Sequence, residues 1–545
     1  MGHLTQTIVL EIMASPTRTT GESRTVDPTR GKLMTDTAAP QPAGSLRGGL
    51  TTPKIVFLVV AAAAPMAAMV GIVPLAFLLG AGPATPAAFV VCGVILLCFS
   101  VGYAAMSRRI TNAGGFYTYV ARGLGRPPAV AAALVAVIAY NAVAVELVAG
   151  FGYFGQLVVQ QQTGIDLPWE LYAALGVAVA AALGYRTIDI GAKLLALFLT
   201  AEIAILLILD VAVIGHKGKA ALPATSFSPH TFLHGGSAGI GLMFAFGAFV
   251  GFESAALYGE ESKNPRRSIP LATYVSVTVI TLFYALTSWI AVGAVGAGQV
   301  RAVAGKQLGN LFFALSDQYV TSWVTTVMEV LLCTSLLASL LAIHNAASRY
   351  MFVLGRERIL PGWLGVSHRR HDAPSRASVT QTTINVVVVG AFAAAGLDPY
   401  LSLATAMAGL GTLGIIVLQA AAAAAVVAFF RRRGQLHWWK TILAPAIGFA
   451  GLSAATVLAL MNYSTLTGTS NRAINALPWL LAASVIGGVG YALWLRRNRP
   501  LIYAGIAAAP AGGTPELGDG AAPARTARPA SAPARPATAM SDPAN

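Results

Sequence analysis

The sequence predicts an all-α integral membrane protein. Of its 545 residues, 56% are hydrophobic and 10% are charged, whereas about a quarter are charged in ordinary soluble domains. Twelve segments are long and apolar enough to cross a bilayer, which takes about 20 residues. These segments are residues 53–80, 86–106, 128–160, 169–185, 188–214, 237–259, 269–296, 309–345, 378–396, 400–430, 440–461 and 476–495.

The distribution of Lys and Arg supports this count. With an even number of spans both termini lie on one side of the membrane, and basic residues collect on the cytoplasmic side. All but five of the 36 Lys and Arg residues fall in the tails and loops of that side. The asymmetry predicts cytoplasmic termini. It also accounts for the net charge of +15, so this charge does not indicate nucleic-acid binding. The exceptions are Lys217, Lys219, Arg301, Lys306 and Arg472.

Two polar tails flank the predicted membrane domain, which spans residues 53–496. Residues 1–52 have no signal-peptide pattern, and residues 497–545 are rich in Ala and Pro, so both are predicted to be disordered and cytoplasmic. Nothing before Met34 has the pattern of a structured element, which makes Met34 a candidate native start. The three cysteines lie in apolar spans, so we expect neither disulfides nor a thiol metal site.

Spans 1 and 6 contain helix-breaking residues at their middle. Span 1 carries Pro65, Gly71 and Pro74, and span 6 carries Gly247 and Gly251. Broken helices are tolerated at bilayer depth where the freed backbone groups line a cavity. Breaks in corresponding positions of two groups of five spans indicate the central site of a transporter. The alternative is close helix packing, because Gly247 and Gly251 also form a small-xxx-small motif.

Three motifs resemble the amino acid–polyamine–organocation permease superfamily. They are GFESAALYGEESKNPRRSIPLATY (251–274), SRRITNAGGFYTYVARGLGRP (107–127) and NAASRYMFVLGRERILPGWL (345–364). The resemblance implies an inverted five-plus-five fold of the leucine-transporter type, with broken helices 1 and 6. The core would span residues 53–430, and two peripheral helices would occupy residues 440–495.

A central substrate site follows from these broken helices. Free amides at the half-helix ends would bind a carboxylate, and free carbonyls would bind an ammonium group. The glycine-rich stretch usual in span 1 of the family is replaced here by Ala67-Ala68-Met69, which makes a conventional α-amino acid substrate less secure. Phe246 and Phe249 are candidates for an aromatic lid, and Tyr140 and Asn141 of span 3 for cavity contacts. The predicted unwound backbone comprises Ala67, Ala68, Met69, Val70 and Gly71 in span 1, and Gly247, Ala248, Phe249, Val250 and Gly251 in span 6.

Charged residues in membrane spans are costly and therefore informative. The acids in the predicted spans include Glu146, Glu202, Asp210, Glu253 and Glu329. Glu253 follows the span 6 break and either titrates or fixes the helix. Glu202 falls where some proton-coupled family members carry a lysine, and it either exchanges a proton or helps to hold Na⁺ with Thr334 or Ser335. Its alternative role is a structural hydrogen bond.

The predicted function is secondary active transport of an amino acid or related amine across the cytoplasmic membrane, by alternating access and proton-coupled symport. An amino acid or amine exchanger, a Na⁺-coupled carrier and a non-transporting amino acid sensor are the alternatives. No catalytic constellation, nucleotide-binding loop or cofactor motif is present, so we expect no enzyme activity and no cofactor. His230 and His234 have metal-ligand spacing but no supporting acid or cysteine, so no metal site is predicted.

Overall fold

The computed structural model describes residues 50–110, 115–186, 192–259, 262–367, 374–467 and 471–507. This part of the chain is helical, and its only β-structure is an isolated bridge between Leu50 and Ser262. The α-helices are α1 (Thr52–Ala62), α2 (Val73–Leu78), α3 (Thr85–Ser107), α4 (Gly115–Gly123), α5 (Arg126–Thr163), α6 (Trp169–Arg186), α7 (Ala192–Lys217), α8 (Pro229–His234), α9 (Ala238–Ala248), α10 (Pro265–Val295), α11 (Val300–Gln307), α12 (Leu311–Tyr319), α13 (Ser322–Arg356), α14 (Ser375–Ala394), α15 (Thr405–Arg432), α16 (Ala444–Met461), α17 (Tyr463–Thr467), α18 (Arg472–Asn475), α19 (Pro478–Asn498) and α20 (Pro500–Gly505).

Shorter helical turns connect these elements. The 3₁₀ turns are Gly82–Ala84, Gly218–Ala221, Ala224–Phe227, Phe252–Gly259, Leu308–Asn310 and Gly362–Gly365, and the π-helical turns are Ala67–Ile72, Pro399–Ala404 and Trp438–Leu443.

Eleven helical segments of the described residues are long and apolar enough to cross a membrane. Trp169–Tyr185, the predicted fourth span, is a shorter apolar helix. The eleven are Thr52–Leu78, Gly82–Ser107, Arg126–Thr163, Ala196–Ala221, Ala238–Ala255, Pro265–Val295, Ser322–Arg356, Ser375–Ala394, Pro399–Arg432, Trp438–Met461 and Pro478–Asn498.

Local sequence explains where several of these helices begin and end. Pro127 and Pro128 occupy the first turn of α5, where the missing amide costs no hydrogen bond. The same helix ends at Gly164, whose φ of 73° is the left-handed conformation that glycine adopts at helix ends. The Ser237 hydroxyl accepts a hydrogen bond from the Ile240 amide at 3.3 Å and caps α9.

The first membrane segment is interrupted at Ala63 and Ala64, before the predicted stretch. Ala64 has a φ of 46°, which is uncommon for a residue with a side chain. The following Pro65 is the cause, because proline disfavours the α conformation of the residue before it and donates no amide hydrogen bond. Residues 67–71, predicted to be unwound, lie instead in a π-helical turn. The sequence prediction therefore placed this break too late in the chain.

The sixth segment is interrupted over Phe249–Gly251. Helix α9 ends at Ala248, Gly251 has a φ of 111°, and the chain continues as a 3₁₀ helix. A Cβ atom on Gly251 would lie 2.7 Å from the carbonyl oxygen of Ala62 at the end of α1. The two interruptions are thus in direct backbone contact, and only glycine fits at that contact.

The start of the predicted C-terminal tail differs from the structure. The tail was predicted to begin at residue 497, but α19 continues to Asn498 and α20 follows. The Arg126 guanidinium donates a hydrogen bond to the Ala504 carbonyl at 3.0 Å, and the Ala507 amide donates to the Glu357 carboxylate at 3.3 Å. Burial raises the pKa of that carboxyl group. These long-range contacts order a segment whose composition alone predicts disorder. Residues 1–49, including Met34, and 508–545 lie outside the described part of the chain.

Arg301 joins the end of the first membrane segment to the connection before α9. Its guanidinium donates hydrogen bonds to the carbonyl oxygens of Leu78 at 3.0 Å, Gly80 at 3.1 Å and Gly235 at 3.0 Å. Partial burial lowers the pKa of this guanidinium. All three carbonyl oxygens belong to segments that precede Arg301 by more than 60 residues in the chain, so Arg301 fixes how these segments meet.

Replacing Arg301 with methionine is expected to destabilise the protein by about 2 kcal/mol, because three backbone carbonyls lose a charged donor. The thermal unfolding midpoint of detergent-purified protein measures this effect. Lys306→Met is the matched control, since Lys306 lies on the same helix and is exposed. Equal midpoints for the two variants would contradict the role assigned to Arg301.

Candidate functional site

The two helix interruptions face one cavity of about 80 Å³. A cavity of about 10–15 Å³ is enough to hold one water molecule, so this cavity has room for several. It is lined from the first membrane segment by Ala62, Ala63, Ala64, Ala67, Ala68, Gly71, Ile72 and Leu75, and from α9 and the residues after it by Phe244, Gly247, Ala248 and Val250. The remaining lining comes from Val143, Glu146, Leu147, Gly150 and Phe154 of α5, Leu336, Ser339 and Ile343 of α13, and Tyr400, Ala404 and Ala408.

Hydrogen bonds hold the interrupted backbone around this cavity. The Tyr284 hydroxyl donates to the Ala63 carbonyl at 2.9 Å, and the Tyr400 hydroxyl donates to the Gly71 carbonyl at 2.6 Å. Tyr284 lies on α10, and Tyr400 lies in the π-helical turn before α15. Carbonyls freed by the break and the π-helical turn therefore find partners on two other helical segments, as backbone groups away from water require.

Six of the predicted substrate-binding residues line the cavity and seven do not. Ala67, Ala68, Gly71, Gly247, Ala248 and Val250 line it, whereas Met69, Val70, Tyr140, Asn141, Phe246, Phe249 and Gly251 are absent from the lining. Met69 and Val70 are fully buried on another side of their helical turn. Phe249 follows the end of α9, and its ring meets the Tyr284 ring edge-on at 5.9 Å.

Tyr140 and Asn141 have partners inside the protein. The Tyr140 hydroxyl donates to the Glu253 carboxylate at 3.0 Å, and the Asn141 side-chain amide donates to the Val137 carbonyl at 2.7 Å. Tyr140 lies on the stripe of α5 that faces the cavity, but one turn nearer the N-terminus than Val143. The part of α5 that lines the cavity therefore begins after Tyr140.

Glu253 is held by three contacts at the sixth-segment interruption. Its carboxylate accepts hydrogen bonds from the Gly251 amide and the Tyr140 hydroxyl, both at 3.0 Å, and its backbone carbonyl accepts one from the Tyr103 hydroxyl at 3.3 Å. A carboxylate at the start of a helical turn satisfies amides that have no partner within the helix. These contacts fit the helix-fixing alternative, and the coupling role of Glu253 stays a prediction.

Glu202 lies beside the first-segment interruption. Its side chain on α7 is 5% exposed, and it accepts hydrogen bonds from the Met66 amide at 3.5 Å and the Ser335 hydroxyl at 3.0 Å. The carboxylate thus joins the first residues after the break to α13. A change in its charge would alter both contacts at once.

Sequence reasoning did not assign Glu146, Phe154, Phe244, Ser339 or Tyr400 to the site. A detectable signal was present on α5, because Val143, Leu147, Gly150 and Phe154 are spaced three or four residues apart and share one helix face. No comparable signal marks Tyr400, since its position depends on how the chain folds back over α5. No cluster of three or more metal-ligating side chains occurs among the described residues, and the His230 and His234 rings lie 5.1 Å apart.

Comparison with known proteins decides the family. The family profile described as "Amino acid permease" matches residues 50–487. The chain belongs to the amino acid permease family. It is a multi-pass membrane protein, and the relatives given below are named as permeases or transporters.

This chain is similar to proteins whose names give different substrates. It is 25% identical over 311 residues to the branched-chain amino acid permease of Bacillus subtilis, a match covering 54% of this chain and 64% of that protein. It is 25% identical to the chloroplastic cationic amino acid transporter 6 of Arabidopsis thaliana, a match covering 55% of this chain and 53% of that protein. It is 24% identical to the human cystine/glutamate transporter, a match covering 60% of this chain and 65% of that protein. The chain thus matches somewhat more than half of the length of each relative, and these names do not agree on a substrate.

The fold resembles that of a solved transporter. The crystal structure of a manganese transporter of Eremococcus coleocola matches with a TM-score of 0.51 at 12% identity, covering 85% of this permease and 97% of that chain. At this identity the match supports the fold alone.

Proposed function

We propose that the protein is a secondary active transporter that carries an amino acid or related amine across the cytoplasmic membrane by alternating access. The observation that carries this proposal is the pair of interrupted helices facing one cavity. Paired interruptions of this kind expose backbone groups that bind small polar substrates. Membership of the amino acid permease family supports the substrate class.

The proposed architecture has twelve membrane helices, the shorter α6 included. Spans 1–5 and 6–10 form an inverted five-plus-five repeat, and α16 and α19 are the two peripheral helices. The packing supports this arrangement, because each of the first four spans contacts the span five places later. Both termini are proposed to be cytoplasmic, on the basis of the distribution of Lys and Arg.

Proton coupling is assigned to Glu202. A buried carboxylate can cycle between a charged and a neutral form, and Glu202 contacts the amide of Met66, two residues after Ala64. Protonation would weaken Glu202 as an acceptor and loosen its hold on the first membrane segment. Proton uptake would then be linked to movement of a segment that lines the cavity.

Glu202→Gln is expected to abolish the stimulation of uptake by an acid-outside pH gradient, while exchange of substrate across the membrane continues. The glutamine retains the shape and an acceptor oxygen but cannot release a proton. Uptake into proteoliposomes is measured with an imposed pH gradient or an imposed Na⁺ gradient. Asp210→Asn is the matched control, because Asp210 is also buried on α7 and accepts a hydrogen bond from the Thr287 hydroxyl, away from the cavity.

Each result of this experiment has a distinct meaning. Unchanged pH stimulation in Glu202→Gln would exclude Glu202 as the coupling residue. Stimulation of the wild type by Na⁺ and not by protons would identify a Na⁺-coupled carrier, and exchange of substrate with no net uptake under either gradient would identify an exchanger. Saturable binding without any flux would replace the transporter proposal with a sensor.

A further inference from the structure

The central cavity contains one acidic side chain, Glu146, and its lining includes no Lys, Arg or His. The Glu146 carboxylate makes no hydrogen bond or ion pair within the part of the chain that the structure describes. The hydroxyl of Ser339, which also lines the cavity, is buried and has no hydrogen-bond partner among the described residues either. Two polar groups thus reach the cavity with their hydrogen-bonding capacity unused.

The surroundings make an unpaired carboxylate costly. Val143, Leu147, Leu336 and Ile343 line the cavity beside Glu146. Glu146 is half-buried in this apolar cavity, and a carboxylate with few water molecules around it is stabilised by a nearby cation or by hydrogen-bond donors. Since the lining provides no cation, a cationic group of the substrate is the compensation that the site lacks.

The backbone at the interruptions is less suited to a carboxylate. The Phe249 and Val250 amides donate to the carbonyls of Phe246 and Gly247, and the Gly251 amide donates to Glu253. In the first segment, the Met66 amide donates to Glu202. A substrate carboxylate would have to compete for these amides, whereas an ammonium group meets a free acceptor at Glu146.

We propose that Glu146 binds a cationic group of the transported compound, and that this compound carries a net positive charge. An aliphatic amine or an amino acid with a cationic side chain meets this description, with its hydrocarbon part against the apolar lining. The inference rests on the proposed function and narrows its substrate class. It distinguishes this chain among relatives whose names include branched-chain amino acids, cationic amino acids, and cystine and glutamate.

Three probes that differ in single groups test the inference. Norleucine is lysine without its terminal ammonium group, and cadaverine is lysine without its carboxylate. The wild type is expected to bind lysine or cadaverine at least about tenfold more tightly than norleucine, a difference equivalent to one well-placed charge contact. Competition binding to purified protein measures the affinities, and counterflow in proteoliposomes measures transport of the same compounds.

Glu146→Gln is expected to abolish the preference for the cationic probes over norleucine, whereas Glu146→Asp retains part of that preference. Glu329→Gln is the matched control, because Glu329 lies on α13 outside the cavity and accepts a hydrogen bond from the Gln162 side chain. A wild type that prefers norleucine, or a Glu146→Gln variant that still prefers the cations, would overturn the inference.

The two arms separate this inference from the proposed function. Tight binding of a cationic probe without counterflow would support the Glu146 assignment and refute transport. Counterflow of norleucine without binding of either cation would support transport and refute the Glu146 assignment. If lysine binds and cadaverine does not, the substrate is a cationic amino acid, and the reverse result identifies an amine.

Discussion

Replacing Gly71 with leucine is expected to reduce uptake to the background of empty vesicles, while the protein still reaches the membrane. Gly71 lines the cavity, and a Cβ atom there would lie 3.7 Å from the ring of Phe154, an ordinary van der Waals distance. The first added carbon is therefore tolerated, but the rest of a leucine side chain would occupy the cavity that we propose as the substrate site. Uptake and membrane abundance, measured on the same vesicles, check this prediction.

Two further variants make the Gly71 result specific. Gly71→Ala adds only the tolerated carbon and is expected to lower uptake far less than leucine. Gly390→Leu places the same side chain on α14, at a glycine with nothing within 4 Å of the added carbon, and is expected to leave uptake unchanged. Transport by Gly71→Leu at the wild-type rate would mean that this cavity is not the substrate site.

Gly251→Ala is expected to have the second large effect, a loss of about 2–6 kcal/mol in unfolding free energy together with loss of uptake. About 1–3 kcal/mol arises from an L-residue at a φ of 111°. A similar amount arises from the clash of the new carbon with Ala62, whose carbonyl oxygen would lie 2.7 Å away. Because Ala62 ends α1, the clash also pushes the two interrupted segments apart.

Gly296→Ala separates the two contributions to the Gly251 effect. Gly296 has a φ of 98° and nothing within 4 Å of an added carbon, so its substitution introduces the backbone strain without the clash. The thermal unfolding midpoint of Gly251→Ala is expected to fall clearly below that of Gly296→Ala. Equal midpoints would show that the contact with Ala62 contributes nothing.

Properties of the fold that depend on residues close together in the chain could be predicted from the sequence. The helical class and most membrane segments follow from long apolar runs, because a bilayer sets the required length whatever the neighbouring helices are. The family follows from contiguous motifs such as residues 251–274. The position of the break in the first segment was also accessible in principle, since Pro65 constrains its neighbour Ala64.

The sequence was less informative about which residues line the cavity. Whether a residue of a buried helix faces the cavity depends on the rotation of that helix against its neighbours, and helices that are apolar on every side carry no strong signal of rotation. Tyr140 and Val143 share one face of α5, yet only Val143 lines the cavity, because the position of the cavity along the helix is set by the two interrupted segments.

The sequence by itself determined that this chain is a helical membrane protein of the permease type and that the first and sixth segments hold its weakest helical stretches. Those properties depend on apolar length, proline, glycine and short motifs, all of which act within a few residues. Only the tertiary structure brought Glu146, Phe154, Phe244 and Tyr400 to one cavity and gave Glu202 its contacts with Met66 and Ser335. The Glu202 contacts join residues more than 130 positions apart, and packing between helices decides them.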